Sequence, residues 1–511
     1  MKLKLETLER ASKIDLYLMI LLSFSIGIVG LLFANKAHIE LNRPDLCGVY
    51  CNMAMNYGQL LEARSFDSYY FSKSLSSFLA WALVWASDVP NTPITINYLL
   101  EALNVVYLAV GAFFWSLICM TKNISRQLVW VGFFGMFVTH LFIGLTPHAQ
   151  ESPDNGAFAI SLAILYFYVI GSMRGLLCTL LISAFVQPQL KILALLLIIM
   201  LGSNMDESMN PDNFRLPNKI RRFIYTLCAF LLNIRSSEVR HFSVWVIFFV
   251  LMYVALTASS FFLVTPYFGT DQINTHLLPI SILLQSMILG YCLFKLDVIK
   301  ALVIMLRKIG NRLFLRRLLI CLIIVLVIRG VTELFAQGPV ASLNSTFLGR
   351  LFFIYTFLQQ SIQQPLMSPV IHMTFYGPLI ALFVFNWNRM AEIVRAEGPA
   401  LVLVFALILM ISNGTESRHL IACLPWFTLI LCMSLKNIPP TLVGLIAAIQ
   451  IAASRFYAPY RSDYSSDFDP YLMIWGPWVS VNHYWDYFIV AVAGFLILFL
   501  AWFYFMSRKS Y

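Results

Sequence analysis

Apolar runs of membrane-spanning length recur along this chain, and nothing constrains its fold more. A helix of roughly 17 to 25 residues covers a hydrocarbon core ~30 Å thick, and it satisfies every backbone group within itself, as lipid requires. Such spans are read near 15–34, 98–120, 128–146, 157–173, 243–264, 278–296, 317–336, 374–388, 399–412, 419–435, 440–453 and 487–507. Two shorter apolar segments, 175–187 and 190–203, flank Gln187-Pro188-Gln189 and suit either a re-entrant pair or a hairpin. Only 12% of the residues are charged and 60% are hydrophobic, whereas a soluble chain carries roughly 25% charged residues. The expectation is an all-α integral membrane protein of about 12–14 transmembrane helices.

Orientation follows from Lys and Arg, which stay on the cytoplasmic side in short loops. With both termini inside, about 26 of the 35 basic residues fall in cytoplasmic segments and about 8 outside, while Arg329 lies within a span. The net charge of +10 is therefore read as a topology signal, and nucleic-acid binding gains little from it. Met1 to Lys13 is polar and basic, and the following run is too long for the core of a cleaved signal, so the first span is read as an anchor. Most of the nine cysteines lie in apolar segments as small hydrophobes. Cys47 and Cys51, four apart on a helix, would bridge poorly, so no disulfide framework is expected.

No linker divides the chain, and residues 1–511 read as one polytopic membrane domain. Its polar residues gather in the outer segments. The first, 35–97, contains a helix with Tyr50, Ala54, Tyr57 and Leu61 at helical spacing, then a turn around Ser65 to Ser68. An amphipathic stretch follows over 70–87, with Phe71, Leu75, Phe78, Leu79 and Trp81 on its buried side; such helices lie in the headgroup plane. The second outer loop holds Glu151, Asp154 and Asn155 around two prolines. Outer segment 337–373 is amphipathic and glutamine-rich, with Gln359, Gln360, Gln363 and Gln364 before Pro365. A tight outer turn runs from Asn413 to His419, and segment 454–486 is crowded with aromatic and acidic residues. On the cytoplasmic side, 204–241 is basic and suits an anionic leaflet.

Glycosyl transfer from a lipid phosphate needs a carboxylate to deprotonate the acceptor or hold a divalent cation, and cations to stabilise the leaving phosphate. Asp45 and Asp154, from the first two outer loops, could meet across one cleft. Each also suits a helix cap, Asp154 with Asn155 ahead of a helix beginning at Gly156. Lys73 could bind phosphate as a point charge or sit on the surface of an interfacial helix. Glu416, Arg418 and His419 crowd the end of two apolar spans and must pair or face water. Arg329 and Glu333, four apart, are read as neutralising each other. The aromatic segment 454–486 fits either a membrane interface or a sugar-binding face. The chain contains no phosphate-loop, His-Glu-x-x-His or Cys-x-x-Cys motif, so ATP-driven transport and zinc proteolysis lack their usual supports. Nor is there room for a soluble nucleotide-binding domain of ~100 residues.

In its order of Asp45, Tyr50, Ala54, Gly58 and Tyr70-Phe71-Ser72-Lys73-Ser74-Leu75, the first outer loop resembles that of the multi-span lipid-linked-sugar glycosyltransferases of the GT-C class. Pro153-Asp154-Asn155-Gly156-Ala157 is similar to their second-loop acid. Glu416-Ser417-Arg418-His419, running into Leu424-Pro425, is similar to a Glu-x-Arg turn near their C-terminus. Two departures stand out: Lys73 replaces the usual Arg, and the second loop has no adjacent Asp-Glu pair. The resemblance implies a GT-C-like bundle with interfacial helices in the first outer loop, in a bacterial inner membrane. It implies transfer of sugar from a polyprenyl-phosphate donor to a glycan or lipid acceptor. Asp45 and Asp154 would be catalytic and would be ligands of a divalent cation, Mg or Mn. Tyr50, Lys73, Glu416, Arg418 and His419 would contact substrate. Two other classes remain open: a transporter or flippase of lipid-linked saccharides, and a polysaccharide polymerase or ligase.

Overall fold

A computed structural model of the chain describes residues 13–29, 48–139, 142, 153–205, 226, 238–263, 276–309, 311–338, 358–414, 420–435, 440–456 and 481–507. Among these the fold is helical, without a strand and with one isolated antiparallel bridge, Ser65–Ala336. Helix α1 covers 13–29. Four short helices form the segment expected to lie outside: α2 (Val49–Met55), α3 (Tyr57–Glu62), α4 (Ser68–Phe71) and α5 (Leu75–Ser87). Next come α6 (Pro93–Thr121), α7 (Arg126–Phe137), α8 (Asp154–Val169), α9 (Met173–Ser183) and α10 (Pro188–Met200). The second half holds α11 (Glu238–Leu263), α12 (Leu278–Leu296), α13 (Val298–Lys308), α14 (Arg312–Phe335) and α15 (Met367–Tyr376). It ends with α16 (Pro378–Glu397), α17 (Pro399–Ser412), α18 (Leu424–Ser434), α19 (Pro440–Phe456) and α20 (Val481–Ser507).

Among the described residues, four helices are long and apolar enough to cross a membrane: α6, His241–Ser259 within α11, α12 and α14. Shorter apolar helices of 10–17 residues account for much of the remaining expected set. Breaks in the backbone explain part of this. The run expected to span 374–388 is cut at Gly377, whose positive φ of 65° and following proline end α15 and start α16. Gly398, at φ 117°, hands α16 directly to α17; a Cβ there would collide with the Ser203 carbonyl. The pair 175–203 forms two helices, α9 and α10, that pack on each other. At 11 and 13 residues they reach about 16–20 Å, short of a ~30 Å core.

Lipid is as apolar as leucine, so close packing and internal hydrogen bonds must hold such a bundle together. Helix α6 packs along α8, and α18 packs against both α7 and α16. Trp115, Phe133, Phe137, Phe158, Phe405 and Trp426 fill the centre, fully buried. Gly132 leaves room for the Trp115 indole, whose Nε1–H donates to the Val129 carbonyl at 3.2 Å. Trp426 Nε1–H donates to Ser161 Oγ at 2.9 Å, and that hydroxyl donates to the Ala422 carbonyl. At one end of α7, Asp15 of α1 accepts from Arg126 Nε at 2.9 Å and from Trp130 Nε1 at 3.3 Å.

The first outer segment is pinned from three sides. Phe66 N–H donates to Phe335 O at the end of α14, Gly338 N–H to Phe66 O, and Leu75 N–H to Phe185 O between α9 and α10. Helices α2 and α5 lie against α6. The inward face of α5 is Ser77, Ala80 and Val84, while Phe78, Leu83 and Trp85 are exposed. Of the expected buried side, Phe71 is buried and Leu75 and Trp81 pack against the core, whereas Phe78 is exposed; the small residues allow close approach to the bundle. Cys51 is disulfide-bonded, and the other six described cysteines are free.

Candidate functional site

Two of the residues read as substrate contacts come together through tyrosines. Asp67 caps α4 by accepting from the Tyr69 and Tyr70 amides at 2.8 and 3.2 Å, which fixes the start of the short helix that carries both rings. Tyr70 meets Tyr50 edge-on at 5.8 Å and Tyr69 at 5.2 Å. Lys73 Nζ donates to Tyr69 Oη at 2.7 Å and lies 4.2 Å from the centre of that ring. Burial above all, then Tyr69 and Asp67, raises the Tyr70 phenol, so it remains a hydroxyl donor at neutral pH. Tyr50 and Lys73, from α2 and the end of α4, thus share one aromatic cluster at the edge of the bundle.

The same stretch of backbone reaches the second expected acid. Three residues past Lys73, Ser76 Oγ lies 3.3 Å from Tyr107 Oη of α6. The Tyr107 ring in turn covers Gly156 in the first turn of α8. Asp154 opens that helix and is buried at 4% exposure, as is Asn155. Pro153, not Asp154, holds the N-cap position, and the helix begins two residues earlier than the sequence suggests. Asp154 therefore sits in the first turn of the helix, where the positive end of the dipole favours a carboxylate.

Helix α15 joins this corner to a third region. Its Ser368, His372 and Tyr376 are spaced four apart and so share one face. Tyr376 is fully buried and within electrostatic reach of Asp154. His372 Nε2–H donates to the Ser412 carbonyl at 2.7 Å, and Ser368 Oγ–H donates to the Asn413 carbonyl. Burial pushes the His372 imidazole down to about 4, against the upward pull of the Ser412 and Gly414 carbonyls, so it is neutral at pH 7. Asn413 is the hub: its Nδ2 donates to Tyr253 Oη of α11, and its Oδ1 accepts from Gln285 Nε2 of α12. Ser361 Oγ–H donates to Tyr253 Oη at 3.1 Å.

Of the residues expected to act, Asp154, Tyr50 and Lys73 are brought into one connected corner. Asp45, Glu416, Arg418 and His419 lie outside the described residues. Segment 454–486 lies largely outside them too. Arg329 and Glu333 do pair, at 2.7 Å, on the exposed surface of α14. No group of three His, Cys, Asp or Glu side chains suited to a metal occurs among the described residues. The described side chains alone therefore do not assemble a site for the expected divalent cation.

Sequence reading passed over Glu101. It is buried at 4% exposure in the N-terminal half of α6, and its Oε2 has no hydrogen-bond partner among the described residues. Asn97 Oδ1, one turn earlier, has none either, and Asn104 extends the stripe, buried, one turn later. The signal was available: an acid within an apolar span is costly unless it is used. No protein family, curated protein or solved structure matches this chain.

Proposed function

We propose that this chain is a membrane glycosyltransferase that moves a sugar from a polyprenyl-phosphate donor to a glycan or lipid acceptor on the non-cytoplasmic side of a bacterial inner membrane. The observation that carries this reading is Asp154, a buried carboxylate in the first turn of α8 within electrostatic reach of Tyr376. Its helix meets Tyr107 at Gly156, and Tyr107 meets Ser76 of the interfacial segment bearing Lys73. A carboxylate at that corner, acting with Asp45, takes the proton of the acceptor hydroxyl as its oxygen attacks the anomeric carbon. The bond from that carbon to the phosphate oxygen breaks, and the polyprenyl phosphate leaves as an anion toward Lys73. Attack opposite the leaving group inverts the anomeric centre. Exposed Phe78, Leu83 and Trp85 of α5 give the segment an apolar face suited to a polyprenyl chain. The disulfide at Cys51 suits an oxidising, non-cytoplasmic compartment.

The test is transfer of labelled sugar from a polyprenyl-phosphate donor pool, in membranes with matched levels of wild type, Asp45→Asn or Asp154→Asn. The expected result is transfer by wild type and a loss of ~100-fold or more in each variant. Transfer that is indifferent to both substitutions would remove the assigned site. A second reading, a transporter of lipid-linked saccharides, is favoured by one feature, the buried carboxylate of Glu101 within a span. Protein-dependent movement of the lipid-linked sugar across vesicles, with no transfer from any donor, would establish that reading instead.

A further inference from the structure

We infer that the amide-lined cluster around Asn413 and Gln364 is the subsite that holds the sugar of the lipid-linked donor, an inference that rests on the function proposed above. The turn between Ser361 and Met367 carries Gln364, which is 2% exposed and has no partner for either Nε2 or Oε1 among the described residues. A buried amide left without hydrogen bonds costs roughly 1–3 kcal/mol, so both ends of this side chain call for a polar ligand. Gln364 stands three residues after Ser361, which bonds Tyr253, and four before Ser368, which bonds Asn413. Across the cluster, Gln285 gives its Nε2–H to Asn413 and keeps a buried Oε1 with no partner among the described residues.

The chemistry selects the ligand. The unpartnered atoms comprise one amide donor group and two carbonyl acceptors, and sugar hydroxyls both donate and accept. A phosphate would need cations, and the described side chains of this cluster are amides, hydroxyls and a neutral imidazole. The position is apt as well. The face of α15 that begins with Ser368, bonded to Asn413, ends eight residues or about 12 Å along the helix at Tyr376, which is within electrostatic reach of Asp154. The amides and the carboxylate thus adjoin opposite ends of one short helix.

The experiment compares binding to the purified full chain in nanodiscs of a short polyprenyl phosphate and of its hexosyl, pentosyl and N-acetylhexosaminyl esters. Wild type, Gln364→Met and Gln285→Met are measured, and thermal melting verifies that each is folded. The expected result is that one ester binds wild type about tenfold tighter than the bare lipid phosphate, equivalent to ~1.4 kcal/mol. Gln364→Met, or Gln285→Met should the first variant not fold, loses that margin and keeps its affinity for the bare lipid. A margin that survives both substitutions overturns the subsite while leaving the donor assignment intact. An absence of any margin in wild type also overturns it. Failure of the glycosyltransferase reading is seen separately, in the transfer assay with Asp154→Asn.

Discussion

Helices α6 and α14 are close in composition and opposite in use. Both are long and strongly apolar, yet about half of the first is buried within the protein and only about a tenth of the second. Each carries acid. In α6 it is Glu101, alone on the packed face between Asn97 and Asn104. In α14 it is Glu333, four residues from Arg329, with both side chains largely exposed. Hydropathy reports the length of an apolar helix and says nothing of its neighbours. The placement of polar groups is more telling: a pair that neutralises itself tolerates the periphery, whereas a lone buried carboxylate needs something from the molecule around it.

Reversing charge at the two acids is the sharpest way to break this contrast. Glu101→Arg forces a larger, oppositely charged group into a packed face and is expected to cost ~3 kcal/mol or more, while Glu101→Gln keeps shape and folds. Yield of monodisperse protein and melting temperature in mild detergent would measure both, and a well-folded Glu101→Arg would show that this face of α6 opens to water. The buried imidazole gives a smaller, graded effect. His372 sits at about 4 in the fold against 6.5 ordinarily, so the unfolded chain binds the extra proton between those values. Its contribution is complete above pH ~6.5 and declines as pH falls toward 4. Melting followed from pH 7.5 to 4.5 should drop less steeply in His372→Gln than in wild type. The smallest effect is expected at α14. Replacing Arg329 and Glu333 together by alanine should leave the melting temperature within error, since exposed pairs contribute little. A clear loss there would place a partner against that surface.

The candidate site was legible in the sequence only as separate residues. Asp154, Tyr50 and Lys73 were singled out because charged and aromatic groups in short outer segments of an apolar chain need a reason, and all three fall in one corner. The start of α8 was misplaced, because Asp-Asn before Gly reads as a cap while Pro153 can fill that position itself. Of the side of 70–87 expected to be buried, Phe71, Leu75 and Trp81 pack inward and Phe78 does not, and the closest approach is made by small Ser77 and Ala80.

The sequence by itself determined that this chain is helical and lies in a membrane, since apolar runs of that length leave the backbone no other way to satisfy its hydrogen bonds. Only the tertiary structure decided which faces are interior. It joined Asp154 to Asn413 through α15, set Gln285 and Tyr253 against a turn more than a hundred residues away, and left the Gln364 amide buried without a partner among the described residues. Local pattern carries no trace of these contacts, because burial depends on packing between segments distant in the chain, and side-chain hydrogen bonds follow from that packing.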